Sequence, residues 1–244
     1  MKKVRDGIRL IRLFLRLVFE MMRNYPFLNH DQEHNFQICK KICKRIVKSA
    51  RIRLQIFHAE NVPTDDSFLL VSNHRCFFDV VFLLATLEQK ISFVAAKELW
   101  RYPILHKYLD AIGCVALERG TKKMDQLKES IISMKTALEI GNLVLFPEGE
   151  CSYHDCRMKK FKKGGFVGIT NPMQKIVPVF LNVNRICNIG RWMIPQGEVS
   201  VVVGASFTLS DIGMKRKSAG EIAAYAQMRV LQLQESISLS FRKL

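Results

Sequence analysis

Long apolar runs are missing from this chain of 244 residues. No uninterrupted stretch supplies the ~20 predominantly apolar residues that a helix needs to span a bilayer. A buried transmembrane hairpin is therefore disfavoured, because too many charges would have to cross with it. A secretory signal peptide is also missing, and the seven cysteines are an odd number. Both point to reduced thiols and a cytosolic setting rather than a disulfide framework. Internal repeats, low-complexity tracts and a second domain boundary beyond about residue 50 are absent as well. Acidic residues are scarce relative to basic ones, 22 against 38, which leaves a net charge of +16. A chain so charged seeks an anionic partner, either nucleic acid or an anionic membrane surface.

The charge is concentrated. Residues 1–60 hold 14 Lys/Arg and 5 Asp/Glu, so +9 of the +16 lies in the first quarter. In KKVRDGIRLIRLFLRLVFEMM, Arg5, Arg9, Arg12 and Arg16 recur at spacings that place them in one helical stripe. The other faces carry Ile8, Leu10, Ile11, Leu13, Phe14, Leu15, Leu17, Val18 and Phe19. A wide apolar surface with an arginine ridge suits a helix lying in a membrane interface. A second basic helix is predicted in FQICKKICKRIVKSARIR, after a turn-forming linker that contains Pro26. Residues 1–51 thus read as an amphipathic basic helical hairpin on an anionic phospholipid surface, at the cytoplasmic face of a membrane, peripheral or monotopic. The competing reading is a solvated basic face on helices that pack against the rest of the protein. Nucleic acid is not the expected partner: the arginines alternate with aliphatics, and no nucleic-acid-binding module accompanies them.

From residue 52 to 244 the pattern becomes short apolar segments separated by helical stretches. Strands are predicted at 53–57, 68–72, 91–96, 114–118, 142–146, 175–183 and 199–207. Helices are predicted at 78–88, around 102–109, from Thr121 to Gly141, and after the capping box of Ser218 and Glu221. Alternation of this kind predicts a single α/β domain with a largely buried mixed sheet flanked by helices. Pro178, inside a predicted strand, points to an edge position or a bulge.

The chemistry-bearing stretch is SNHRCFFDVVFLL, residues 72–84. Residues five apart on a helix do not share a face. His74 and Asp79 meet only if His74 lies in the loop after one strand and Asp79 in the first turn of the next helix. Active-site groups commonly occupy such strand-to-helix loops. Asp79 would then stay ionised and hold one ring nitrogen of His74, leaving the other as a proton acceptor. No activated protein nucleophile is evident, and Cys76 reads as core. That suits a reaction in which the substrate's own hydroxyl attacks. The bland alternative is a helix-capping aspartate beside an ordinary loop histidine. Lys97, Arg119 and Glu148 each follow a predicted strand; if those strands are parallel neighbours, all three emerge at the edge where His74 lies. Two cations there suit a phosphate, and Gly149 permits close approach by a ligand. The run Cys151, His154, Cys156 lacks a fourth ligand at usual spacing, so no metal is expected.

NHRCFFD, GCVALERG, FPEG and IVPV occur in that order, and the chain between about residues 53 and 207 resembles the glycerolipid acyltransferases of the lysophosphatidate acyltransferase type. The resemblance implies that a lysophospholipid hydroxyl attacks an acyl thioester of coenzyme A or acyl-carrier protein. It implies that His74 and Asp79 are catalytic, and that Lys97, Arg119, Glu148 and Gly149 serve the acceptor. No metal or bound cofactor is implied. The family usually continues FPEG with Thr-Arg-Ser, whereas this chain has Glu150-Cys151-Ser152. A cation is lost and an anion gained beside the phosphate site. Arg157, Lys159, Lys160, Lys162 or Lys163 would restore the charge. The alternatives are a different acceptor, such as glycerol-3-phosphate or another lysolipid, or a catalytically silent lipid-binding member of the fold.

Overall fold

The computed structural model describes residues 2–118, 124–151, 157–189, 192–213 and 218–241, with side chains for 7–118, 128–151, 157–183, 197–213 and 218–237. Two antiparallel-running basic segments come first, α1 (Lys2–Asn24) and α2 (Gln32–Ser49). Asp31 caps α2, its side chain accepting from the Glu33 and His34 amides. The helices do not share a fate. Phe36, Ile42 and Ile46 of α2 join the core formed by α3 (Phe78–Thr86) and one face of the sheet. Helix α1 inserts Leu13 and leaves Ile8, Ile11, Phe14, Leu15, Phe19 and Met22 exposed. Polar contacts hold α1 in place: Arg9 donates to the Ala50 carbonyl, Tyr108 Oη to the Met21 carbonyl at 2.7 Å, and Arg45 to the buried Glu20 at 2.9 Å. Segment 1–51 therefore shares one core with the body. Among the described residues no helix is long and apolar enough to cross a membrane.

The sheet has seven strands in the order β1-β7-β6-β2-β5-β3-β4. They are β1 (Arg53–Phe57), β2 (Phe68–Ser72), β3 (Ser92–Ala96), β4 (Val115–Leu117), β5 (Leu143–Leu145), β6 (Lys175–Ile189) and β7 (Trp192–Val203). All pairings are parallel except β6 with β7, so the sheet is mixed, as expected. Strand β2 is buried on both faces: Phe68 and Leu70 meet the α2/α3 side, while Leu69 and Val71 meet the side covered by α5 (Met124–Ile140) and α6 (Ala219–Phe241). Its continuous apolar run is what a central parallel strand requires.

Pro178 is neither on an edge strand nor at a bulge. It lies on β6, opposite Val71 of β2, and the register shift between β6 and β7 falls later, between Val183 and Arg185. The ladder to β7 begins with Val179 and Val203, and Gly204 N donates to the Pro178 carbonyl at 2.8 Å. The donor that proline lacks falls at the end of a ladder, where its loss costs least. Gly204 makes this approach possible: a Cβ there would stand 2.9 Å from the Pro178 ring.

Candidate active site

Because β2, β5, β3 and β4 are adjacent and parallel, the segments that follow them open on one edge of the sheet. The loop after β2 is clamped by Asn73. Its side chain donates to the Leu181 carbonyl at 3.0 Å and accepts from the Leu181 amide at 2.7 Å, completing the β6 ladder in place of backbone. The next residue, His74, is fixed at its amide, which donates to Glu148 Oε1 at 2.7 Å. Helix α3 then begins, with Asp79 in its first turn.

Asp79 is fully buried. Its Oδ2 accepts from the amides of Arg75 and Cys76 and from His74 Nδ1, the last at 2.8 Å. Three donors thus converge on one oxygen in the first turn of the helix. With Nδ1–H committed to Asp79, Nε2 is the nitrogen that faces outward. The imidazole stacks on Phe146 with centroids 4.2 Å apart, and Phe146 stacks in turn on Phe93 at 6.5 Å. Burial works against a charged imidazole here. The hydrogen bonds and charges of Asp79 and Cys151 outweigh it and push the His74 pKa up to about 10.

Glu148 is buried and accepts the amides of His74 and Lys159, at 2.7 and 2.8 Å. It braces two loops against each other. Gly149 has φ +74°, and its amide closes a turn onto the Phe146 carbonyl at 3.0 Å. A Cβ on Gly149 would stand 3.0 Å from Lys162 Nζ, so glycine serves both the turn and the approach of that lysine. Lys97, after β3, is exposed and ion-paired with Glu118 at 2.8 Å. Arg119 lies outside the described residues, as do His154 and Cys156.

The charge reversal at Glu150 is met locally, since Lys159 Nζ lies 3.1 Å from its carboxylate. Cys151, which the sequence offers only within a run short of a metal-ligand set, is where the structure adds most. Its Sγ lies 3.1 Å from His74 Nε2. Position directly after the FPEG turn was the available signal, but 77 residues separate the two side chains along the chain.

Apolar space adjoins these groups. A cavity of about 140 Å³ lies among α1, α2, α3, β3 and α4 (Pro103–Ala111), with Phe77, Phe93, Leu17 and Cys114 in its wall. A second, of about 240 Å³, is lined by Leu10, Ile11, Phe14 and Leu17 of α1 with Phe77 and Phe78. Leu17 and Phe77 are common to both, so apolar space extends from α1 toward the loop that carries His74.

The site thus sets an imidazole held by a buried carboxylate near apolar space that reaches the His74 loop through Phe77. Comparison with known proteins names the family. The model of the family described as Acyltransferase matches residues 53–182, which include His74, Asp79, Glu148 and Cys151. A 1-acyl-sn-glycerol-3-phosphate acyltransferase of Bacillus subtilis (strain 168) is 23% identical over 72% of this chain and 84% of its own. One from Chlamydomonas reinhardtii is 28% identical over 62% of this chain and 46% of its own. The crystal structure of the 1-acyl-sn-glycerophosphate acyltransferase of Thermotoga maritima has the same fold, with a TM-score of 0.75, 22% identity, and coverage of 96% of this chain and 97% of that one. With a family match over more than half its length, this chain belongs to the Acyltransferase family and is an O-acyltransferase.

Proposed function

We propose that the protein transfers a fatty acyl group from a thioester of coenzyme A or acyl-carrier protein to the free hydroxyl of a lysophospholipid, with 1-acyl-glycerol-3-phosphate as acceptor and phosphatidate as product. The observation that carries this reading is the 2.8 Å contact between His74 Nδ1 and the buried Asp79. It orients the ring and, in the neutral form of the imidazole, holds the proton on Nδ1 and leaves Nε2 to accept a hydroxyl proton. As the hydroxyl oxygen attacks the thioester carbonyl, the proton passes to His74, and Asp79 stabilises the imidazolium without taking the proton itself. The thiolate leaving group is then protonated by His74.

The acceptor assignment draws on the named activity of the relatives and on the charge at the site edge. Glu150 is neutralised by Lys159, and Lys162 lies over Gly149. A phosphate therefore meets cations rather than a bare carboxylate. The acyl chain occupies the apolar space between α1 and the loop bearing Phe77. Helix α1, with its exposed Phe14, Leu15 and Phe19 beside arginines, lies in the interface of an anionic membrane and delivers the acceptor.

The test is a panel assay. Purified protein is given radiolabelled palmitoyl thioester, as coenzyme A and as acyl-carrier-protein donors, with lysophosphatidate, other lysophospholipids and glycerol-3-phosphate. Preferential label in phosphatidate is expected. Preference for another acceptor would replace the substrate assignment, and transfer to none would favour a silent lipid-binding role.

A further inference from the structure

Residues 158–162 belong to no helix or strand, yet they carry Lys159, Lys160 and Lys162. A backbone without ladder partners must find its hydrogen bonds elsewhere to keep one path. On the side of the site they come from the turn after β5. The Lys159 amide donates to Glu148 Oε2 and the Lys162 amide to the Pro147 carbonyl, each at 2.8 Å. On the far side they come from one side chain of α6. Gln227 Oε1 accepts from the Phe161 amide at 3.2 Å, and Gln227 Nε2 donates to the Lys159 carbonyl at 3.2 Å. We infer that Gln227 is a positioning residue for the acceptor: it fixes the backbone from which Lys162 reaches over Gly149 to the lysophospholipid phosphate. This rests on the acyl-transfer reading above and adds to it a residue outside the matched range 53–182.

Three observations support the assignment. Gln227 spends both ends of its amide on the same short segment, as a neighbouring strand would. Secondly, the segment has little room to slip. Phe161 is buried in one core with Ala223, Ala226 and Val230 of α6, and Lys162 Nζ comes so close to Gly149 that a Cβ there would stand 3.0 Å away. A slip of one residue would bring Phe161 or Lys163 to that place. Thirdly, the place is next to the chemistry. Gly149 stands two residues before Cys151, whose Sγ lies 3.1 Å from His74 Nε2.

The series of contacts runs from α6 to the reacting imidazole. Gln227 holds the 159–161 backbone, the Lys159 amide is held by Glu148, and Glu148 holds the His74 amide. The two ends differ in what they control. Asp79 and Glu148 set the imidazole, whereas Gln227 sets the cation. Loss of Gln227 therefore acts on acceptor binding before it acts on proton transfer.

The test measures initial rates of transfer from palmitoyl-coenzyme A to lysophosphatidate with the full chain. Gln227→Ala is expected to raise KM for lysophosphatidate roughly tenfold, the equivalent of one hydrogen bond, with kcat within about twofold of wild type. KM does not depend on the fraction of enzyme that is folded, so partial unfolding cannot imitate this result. Gln227→Glu keeps the acceptor for the Phe161 amide and loses the donor to the Lys159 carbonyl, so its KM should fall between those of wild type and Gln227→Ala. Lys162→Ala should raise the same KM, and adding Gln227→Ala to it should raise it little further, because Gln227 acts through that lysine. Effects that multiply in the double variant, or a fall in kcat with KM unchanged in Gln227→Ala, would overturn the inference and leave the acyl-transfer reading standing. Absence of transfer to lysophosphatidate by the wild type would remove the acceptor assignment and the inference together.

Discussion

The two halves of the sheet edge are built differently. Over β2 and β5, the groups that hold the His74 loop are buried and bonded: Asp79 holds His74, Glu148 holds the His74 amide, and Asn73 holds β6. Over β3, Lys97 stands in solvent with Glu118 as partner. The difference matches what the proposed reaction asks of each half. A proton moves only over a short, aligned path, so its donor and acceptor must be fixed before substrate arrives. Attraction between a cation and a phosphate falls off slowly with distance, so a side chain that swings still serves. Rigidity is concentrated where geometry decides, and the charged rim is left adaptable.

The sharpest way to break this comparison is to strike the rigid half. His74→Ala is expected to reduce acyl transfer by about 10²–10⁴-fold, in kcat more than in KM, as measured by steady-state transfer to lysophosphatidate. Loss confined to KM would show that His74 only binds. Glu148→Ala comes next. It orphans two part-buried amides, at up to about 1–3 kcal/mol for each unsatisfied group, so urea unfolding should show a lower midpoint, with activity falling as the His74 loop loosens. An unchanged midpoint would deny Glu148 its bracing role.

A pH dependence follows from the same half. The folded His74 pKa is raised from 6.5 to about 10. Its contribution to stability is therefore fully present below about pH 6.5 and is lost as pH rises through about 10. The difference in urea midpoint between wild type and His74→Gln should shrink over that window. The smallest effect is expected on the adaptable half. Lys97→Ala should raise KM for lysophosphatidate severalfold, leaving kcat and the unfolding midpoint nearly unchanged. A kcat loss as deep as that of His74→Ala would erase the distinction between the halves.

Much of this edge was legible in the sequence. The switch from apolar strand to polar Ser72-Asn73 to apolar helix was enough to bring His74 and Asp79 together. The parts that escaped depend on partners remote in sequence. The bracing bonds of Glu148 go to the amides of His74 and Lys159, the first 74 residues away along the chain. Cys151 meets His74 only because β5 and β2 are neighbours. Strands β6 and β7 run past the predicted 183 and begin before the predicted 199, since Asn184, Arg185, Asn188 and Gln196 interrupt the apolar signal while backbone pairing continues. The two basic helices show the limit of pattern alone. Both pair cations with an apolar face, but α2 turns that face into the core and α1 leaves much of its own uncovered.

The account turns on one carboxylate setting the protonation of one imidazole, and a ¹⁵N NMR titration of the His74 ring reads that directly. The raised value of about 10 is expected in the wild type, with a clear downward shift in Asp79→Asn. A midpoint near the ordinary histidine value of about 6.5, unmoved by Asp79→Asn, would contradict it.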